Sequence, residues 1–154
     1  MLGSGSTDWT GQDRTAWTIR NAGSDFQLGL GGPNLMAADS EALQEAHEYR
    51  INGQYDEAID IYRQVLGETP EQAEALWGLG LSLMNSGDFD VALEKICQAA
   101  DLEPENQLYL LDAGKHYTML GMYDEARPFF EKVVALDPAS KHGSEAQKQL
   151  SYYE

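Results

Sequence analysis

The chain is short of several things at once. It has one cysteine in 154 residues, Cys97. No internal disulfide can form from it and no cysteine cluster points to zinc, so a reducing compartment is expected. Lys plus Arg number only 10 against 26 Asp plus Glu, giving a net charge of −16 and a pI near 4.3. Displacing phosphate counterions needs cations, so a nucleic-acid binder is excluded, and the same repulsion opposes anionic membrane surfaces. No apolar run approaches the roughly 18 residues of a spanning helix, so no membrane insertion is expected. Met1-Leu2-Gly3-Ser4-Gly5-Ser6 lacks the basic and apolar regions of a secretory leader. The three histidines, His47, His116 and His142, stand apart, and none belongs to a two-histidine metal motif. These absences lead to a soluble protein, read as cytoplasmic, with no metal and no cofactor expected.

What is present argues for a folded chain. A hydrophobic fraction of 42% and eight tyrosines are too much apolar surface for a disordered polyanion. The charge is uneven. Residues 1–38 hold Asp8, Asp13 and Asp25 against Arg14 and Arg20, whereas residues 39–138 hold 21 acids against six bases. Composition shifts at the same place: Gly3, Gly5, Gly11, Gly23, Gly29, Gly31 and Gly32 fall in the first segment, which closes on Gly32-Pro33. Beyond Asp39 the chain is rich in Ala, Glu and Leu at helical spacing.

That second region repeats every 34 residues. Pro70, Pro104 and Pro138 keep the step, as do Gly53, Gly87 and Gly121, and Asp56, Asp90 and Asp124. So do Ala58, Ala92 and Ala126, the aromatic column Tyr55, Phe89 and Tyr123, and the small column Ala46, Gly80 and Gly114. Each column has a physical reason. Small residues let two helices approach closely. The glycine suits the left-handed position that ends a first helix. The aspartate is expected to cap the second helix and to favour its N-terminal dipole. The proline is expected at the first position of the following helix, with Thr69-Pro70-Glu71-Gln72 as a capping box. The units are helix–turn–helix hairpins over 39–72, 73–106 and 107–140. Pro128 is expected within the first turn of the third unit's second helix, where it is tolerated. Ala146, Leu150 and Tyr153 give residues 141–154 the apolar spacing of a closing helix, which a stack of hairpins needs over its last apolar face.

Leu79-Gly80, Ala92, Ala99 and Pro104 in the second unit, and Leu110, Ala113-Gly114, Tyr117, Ala126, Phe130 and Pro138 in the third, resemble the tetratricopeptide repeat family. The first unit departs from the pattern, with Glu45 where a core leucine is usual. The resemblance implies an all-α protein, a short right-handed superhelix of three hairpins with a C-terminal capping helix. It also implies a concave groove lined by the first helix of each unit. Carried over position by position, the groove residues are Leu43 and His47 from unit one, and Trp77, Leu81, Met84 and Asn85 from unit two. Unit three gives Leu108, Leu111, Asp112, Lys115 and Met119. That lining is mostly apolar and methionine-containing, suited to varied partners. Family members that clamp the acidic tail of heat-shock proteins use Lys, Asn and Arg. The matching positions here are Leu43, His47, Gly78, Leu108 and Asp112, so that partner is not expected.

No enzyme is visible. Cys97 has no histidine placed by sequence to activate it and reads as a small core residue. Gly29-Leu30-Gly31-Gly32-Pro33 lacks the Lys and Ser/Thr of a phosphate loop. Asp56-Glu57 and Asp124-Glu125 read as helix starts. In residues 1–38, Thr15–Arg20 and Phe26–Leu30 alternate around an Asn21-Ala22-Gly23-Ser24 turn. This fits either a hairpin or a tail without structure, the first six residues also fitting a cloning remnant. A hairpin would dock Trp9, Trp17, Ile19, Phe26 and Leu28 on its own helices or on a neighbouring subunit. The expected function is a non-enzymatic interaction module or adaptor that holds a partner peptide in the groove. Two alternatives stand beside it. One is a chaperone similar to the class II chaperones of type III secretion. The other is a structural subunit of a homo-oligomer or larger assembly, tethered through the N-terminal segment.

Overall fold

The computed structural model describes residues 35–154, with side chains from residue 38. The expected docking residues Trp9, Trp17, Ile19, Phe26 and Leu28, and the expected hairpin, lie outside the described residues. Among the described residues seven helices follow one another: α1 (Leu35–Ile51), α2 (Tyr55–Glu68), α3 (Ala73–Ser86), α4 (Phe89–Leu102), α5 (Gln107–Met119), α6 (Tyr123–Leu136) and α7 (Lys141–Ser151). There is no strand among the described residues. Each helix packs on the next in sequence, and α1 also touches α3 as α5 touches α7. The first helix begins at Leu35, four residues before the start read from the composition shift.

The three turns inside the hairpins are copies of one another. Gly53, Gly87 and Gly121 have φ of 81°, 96° and 77°. Behind each glycine the next amide reaches five residues back: Gln54 N–H donates to Tyr49 C=O, Asp88 to Leu83 and Met122 to Tyr117, all at 2.9 Å. This closes the orphan carbonyls of the first helix, and the left-handed backbone it requires suits glycine.

The links between hairpins differ from expectation. Pro70, Pro104 and Pro138 each stand three residues before the next helix, directly after the residue that ends the previous one. They stop a helix rather than start one, because a proline cannot supply the amide that continuation needs. Thr69 forms no capping box; its Oγ1 donates to Asp39 Oδ2 at 2.9 Å, tying the end of α2 back to α1. Asp56, Asp90 and Asp124 lie inside the first turn of their helices and make no cap bond, which leaves them the dipole role. Among the described residues, the side-chain N-caps are Asn106, accepting from Leu108 and Tyr109 N–H, and Ser140, accepting from Gly143 N–H at 2.8 Å. Pro128 is the sixth residue of α6, in the second turn, and removes one internal amide bond on an exposed face.

Two apolar clusters share Leu66. One gathers Ala46, Ala58, Tyr62, Leu79 and Leu83; the other gathers Leu76, Tyr109, Leu110, Phe130 and Val133, with Ala146, Leu150 and Tyr153 of the closing segment against it. Small residues face large ones at fixed places. A Cβ on Gly80 would strike Ile96 and stand 2.8 Å from the Ala92 carbonyl, and one on Gly114 would stand 2.7 Å from the Phe130 ring. Gly80→Ala therefore meets backbone, whereas Gly87→Ala has nothing within 4 Å and is penalised only by its φ. Gly87→Ala should cost about 1–2 kcal/mol from the left-handed backbone. Gly80→Ala should cost about 1–3 kcal/mol from overpacking and should also perturb the α3–α4 contact. Chemical denaturation checks the energies, and hydrogen exchange at Ala92 and Ile96 checks the site of the damage.

Candidate functional site

The first helices of the three hairpins, α1, α3 and α5, are joined side chain to side chain. Tyr62 starts on α2, fully buried, and its hydroxyl lies 2.6 Å from His47 Nδ1 on α1. Room for that passage comes from Gly78 on α3, where any Cβ would collide with the Tyr62 ring. On its other side His47 Nε2 lies 2.8 Å from Glu74 Oε1 of α3. His47 thus bridges the Tyr62 hydroxyl and the Glu74 carboxylate through its two ring nitrogens.

Trp77, one turn beyond Glu74, continues the line. Its indole Nε1–H donates to Asp112 Oδ2 of α5 at 2.7 Å. The Arg50 guanidinium lies over its ring at 5.2 Å, the His47 ring meets it edge-on at 6.0 Å, and Tyr109 tilts against it at 5.6 Å. Three hairpins thus converge on one half-exposed indole. Arg50 Nε is buried without a hydrogen-bond partner, while the guanidinium stacks over the Trp77 ring and lies beside Tyr62. Burial raises the pKa of Tyr62, with Arg50 beside it pulling the other way.

The expected groove residues divide into two groups. His47, Trp77 and Asp112 are brought together. Leu81 and Leu108 are half-exposed, and Asn85, Lys115 and Met119 are exposed. Asn85 turns back to donate to the Leu81 carbonyl. Leu43, Met84 and Leu111 are buried among the helices, at 5%, 6% and 4% exposure, and are corrected to core residues. One wide apolar face serves both for packing and for display on such short helices, and spacing alone does not separate the two. Arg50, Tyr62, Glu74 and Tyr109 were missed. Glu74 was within reach of the repeat itself, since it stands one 34-residue step before Leu108. Tyr62 was hidden because its ring belongs to the core and only its hydroxyl reaches the face.

Elsewhere the chemistry is quiet. Cys97 is half-buried, its thiol 3.7 Å from the Tyr117 hydroxyl, and burial pushes its pKa up, away from a nucleophile. His116 is buried and donates Nδ1–H to the Asp112 carbonyl at 2.6 Å. No metal-ligand cluster occurs among the described residues.

Burial, reinforced by the Glu103 and Glu74 carboxylates, moves the Tyr109 phenol from 10.0 to about 12. Burial next to Cys97 moves Tyr117 to about 12 as well. Folded-state values above the unfolded value mean that the fold favours the neutral phenol. The contribution is intact below pH 10 and is lost as pH rises toward 12. Phenolate absorbance should show Tyr109 and Tyr117 ionising after the exposed tyrosines, and denaturation midpoints should fall across the same window. Tyr109→Phe and Tyr117→Phe should remove the late component.

Comparison with known proteins agrees with this architecture. The tetratricopeptide repeat profile matches residues 43–102 and 79–141. A probable UDP-N-acetylglucosamine–peptide N-acetylglucosaminyltransferase SPINDLY from Solanum lycopersicum is 29% identical over 101 residues, 66% of this chain but 11% of that protein. The chain thus spans about a tenth of that relative's length. Among solved structures, the first tetratricopeptide domain of Spaghetti (RPAP3) bound to an HSP90 peptide matches with a TM-score of 0.66 at 21% identity. That match covers 75% of this chain and 91% of the other. PcrH in complex with the chaperone-binding region of PopB matches at 0.65 and 19%, covering 71% and 92%. No helix among the described residues is long and apolar enough to cross a membrane. With three 34-residue hairpins, glycine turns of one geometry and a profile match running from residue 43 to residue 141, the chain belongs to the tetratricopeptide repeat family.

Proposed function

We propose that the face shared by α1, α3 and α5 holds an extended or helical segment of a partner protein, making this chain an adaptor-type interaction module without catalysis of its own. The observation that carries the reading is Trp77. A half-open indole held by Arg50, Tyr109 and Asp112 is an aromatic anchor whose ordering cost is already met before a partner arrives. Leu81, one turn along the same helix, and Leu108 on α5 extend it as an apolar strip. The solved tetratricopeptide structures that hold an HSP90 peptide and the PopB segment support peptide binding as a use of this fold.

The lining favours a different partner from an acidic tail. Asp112 and Glu74 border the anchor, and residues 39–138 carry 21 acids against six bases. Apolar segments flanked by Lys or Arg meet both the strip and the field. A chaperone for a secreted protein would use the same face. A tethered assembly subunit would instead place recognition in the N-terminal segment, residues 1–38.

Selection from a displayed peptide library, with the full chain as bait, should return sequences with an apolar anchor and basic flanks. Leu81→Glu should weaken the selected peptides by tenfold or more, about 1.4 kcal/mol, since it replaces apolar contact with like charge. Helicity should stay unchanged. The same peptides bound with unchanged affinity by Leu81→Glu would move the site off this face, and binding lost only on removal of residues 1–34 would favour the tethered-subunit reading.

A further inference from the structure

A second concavity lies at the far end of the array, where the last turn of α5, the start of α6 and the end of α7 meet. It has a volume of about 460 Å³, within the range of roughly 300–1,000 Å³ typical of ligand clefts. Its walls are aromatic. Tyr123 and Tyr153 meet at 5.8 Å and 58°, and Tyr152, 66% exposed, stands beside them. Tyr153 is held in place from behind, its hydroxyl 2.5 Å from Thr118 Oγ1 and its ring against Phe130 at 6.1 Å.

The charges in this cleft are unequal in their commitments. Arg127 donates to the Tyr153 carbonyl at 3.2 Å and lies 5.7 Å over the Tyr153 ring. It makes no ion pair with Asp124, three residues earlier on the same helix. Asp124 lines the cleft with no hydrogen bond or ion pair among the described residues, although a cation is one turn away. A carboxylate at the foot of exposed tyrosine rings, in a protein of charge −16, is a setting for a planar cation. Guanidinium matches it better than ammonium, because it stacks on aromatic faces while its N–H groups fork onto a carboxylate.

We propose that this cleft is a second binding site, separate from the Trp77 face, and that it takes the arginine side chain of a basic segment in a partner protein. Asp124 receives the guanidinium, and Tyr123 and Tyr152 cover its planes. Arg127 fixes Tyr153 and so keeps the wall in place. The site lies apart from α1 and α3, so it does not depend on the Trp77 reading.

The test is amide NMR of the full chain titrated with acetyl-Gly-Arg-Gly-amide and, in parallel, with its neutral citrulline analogue. Salt is held at about 0.15 M so that diffuse attraction is screened beyond about 8 Å. The arginine peptide should shift Tyr123, Asp124, Tyr152 and Tyr153, and the citrulline peptide should not. Asp124→Asn should weaken the arginine peptide by about fivefold, the scale of one exposed charge contact, and Tyr152→Ala should also weaken it. Asp124 is exposed, so Asp124→Asn should lower the unfolding midpoint only slightly, through the lost first-turn charge at the α6 dipole, and should leave helicity unchanged. The proposal is overturned by any of three outcomes: no shift at these residues, equal shifts with citrulline, or an affinity that Asp124→Asn does not change.

Discussion

Every hairpin in this protein depends on a small residue facing a large one. Ala46, Gly80 and Gly114 leave the space on the first helices, and Tyr62, Ile96 and Phe130, one step of 34 residues apart on the second helices, are all fully buried. The interior is close-packed, so the two columns must vary together: a methyl added on one side has to be matched by a loss on the other. The glycine turns set the angle at which the helices meet, but they do not hold them together. What holds them is apolar surface excluded from water along these columns, and the repeat period is the distance along the chain at which the fit recurs.

The candidate site grows out of that packing. Tyr62 is a core residue by its ring and a site residue by its hydroxyl, and the absent side chain of Gly78 lets it be both. From Tyr62 the polar line runs through His47 to Glu74, and Trp77 carries it on to Asp112. A partner meeting Trp77 therefore meets a group fixed by three hairpins. Replacing the core tyrosine with phenylalanine would keep the fold's shape and still unfasten the imidazole on the surface.

Architecture was far more legible in the sequence than the site. Glycines at 53, 87 and 121 announced their turns because only a left-handed backbone demands glycine at a regular interval. The prolines were misread because a proline after one helix and before the next satisfies two rules, and the three-residue link to the next helix decides between them. For Asp56, Asp90 and Asp124 the dipole half of the reading holds and the cap half fails for a similar reason, since a first-turn acid and a cap are two residues apart. Leu43, Met84 and Leu111 were assigned to the face by family position, and burial reassigned them. Arg50 and Tyr109 could not be found from spacing, because their contacts with Trp77 join separate hairpins. The cleft around Asp124 depends on where Arg127 points, which no sequence pattern states.

The first helix is held differently from the others. Among its described side chains, from Ala38 on, the buried ones are Ala38, Ala42, Leu43 and Ala46, three methyl groups and one leucine, with Tyr49 partly buried, where α3 buries Leu76, Leu79, Leu83 and Met84. Much of its attachment is polar instead, through Asp39 to Thr69, His47 to Glu74 and Arg50 to the Trp77 ring. Local opening is least costly where little apolar surface is exposed, so the described part of α1, from residue 38, is expected toward the low-stability end of the array. A ligand spanning α1 and α3 would pin that part of the helix, and part of its binding energy would go into the helix's lost entropy. Recognition at this face and order in the first hairpin are linked quantities.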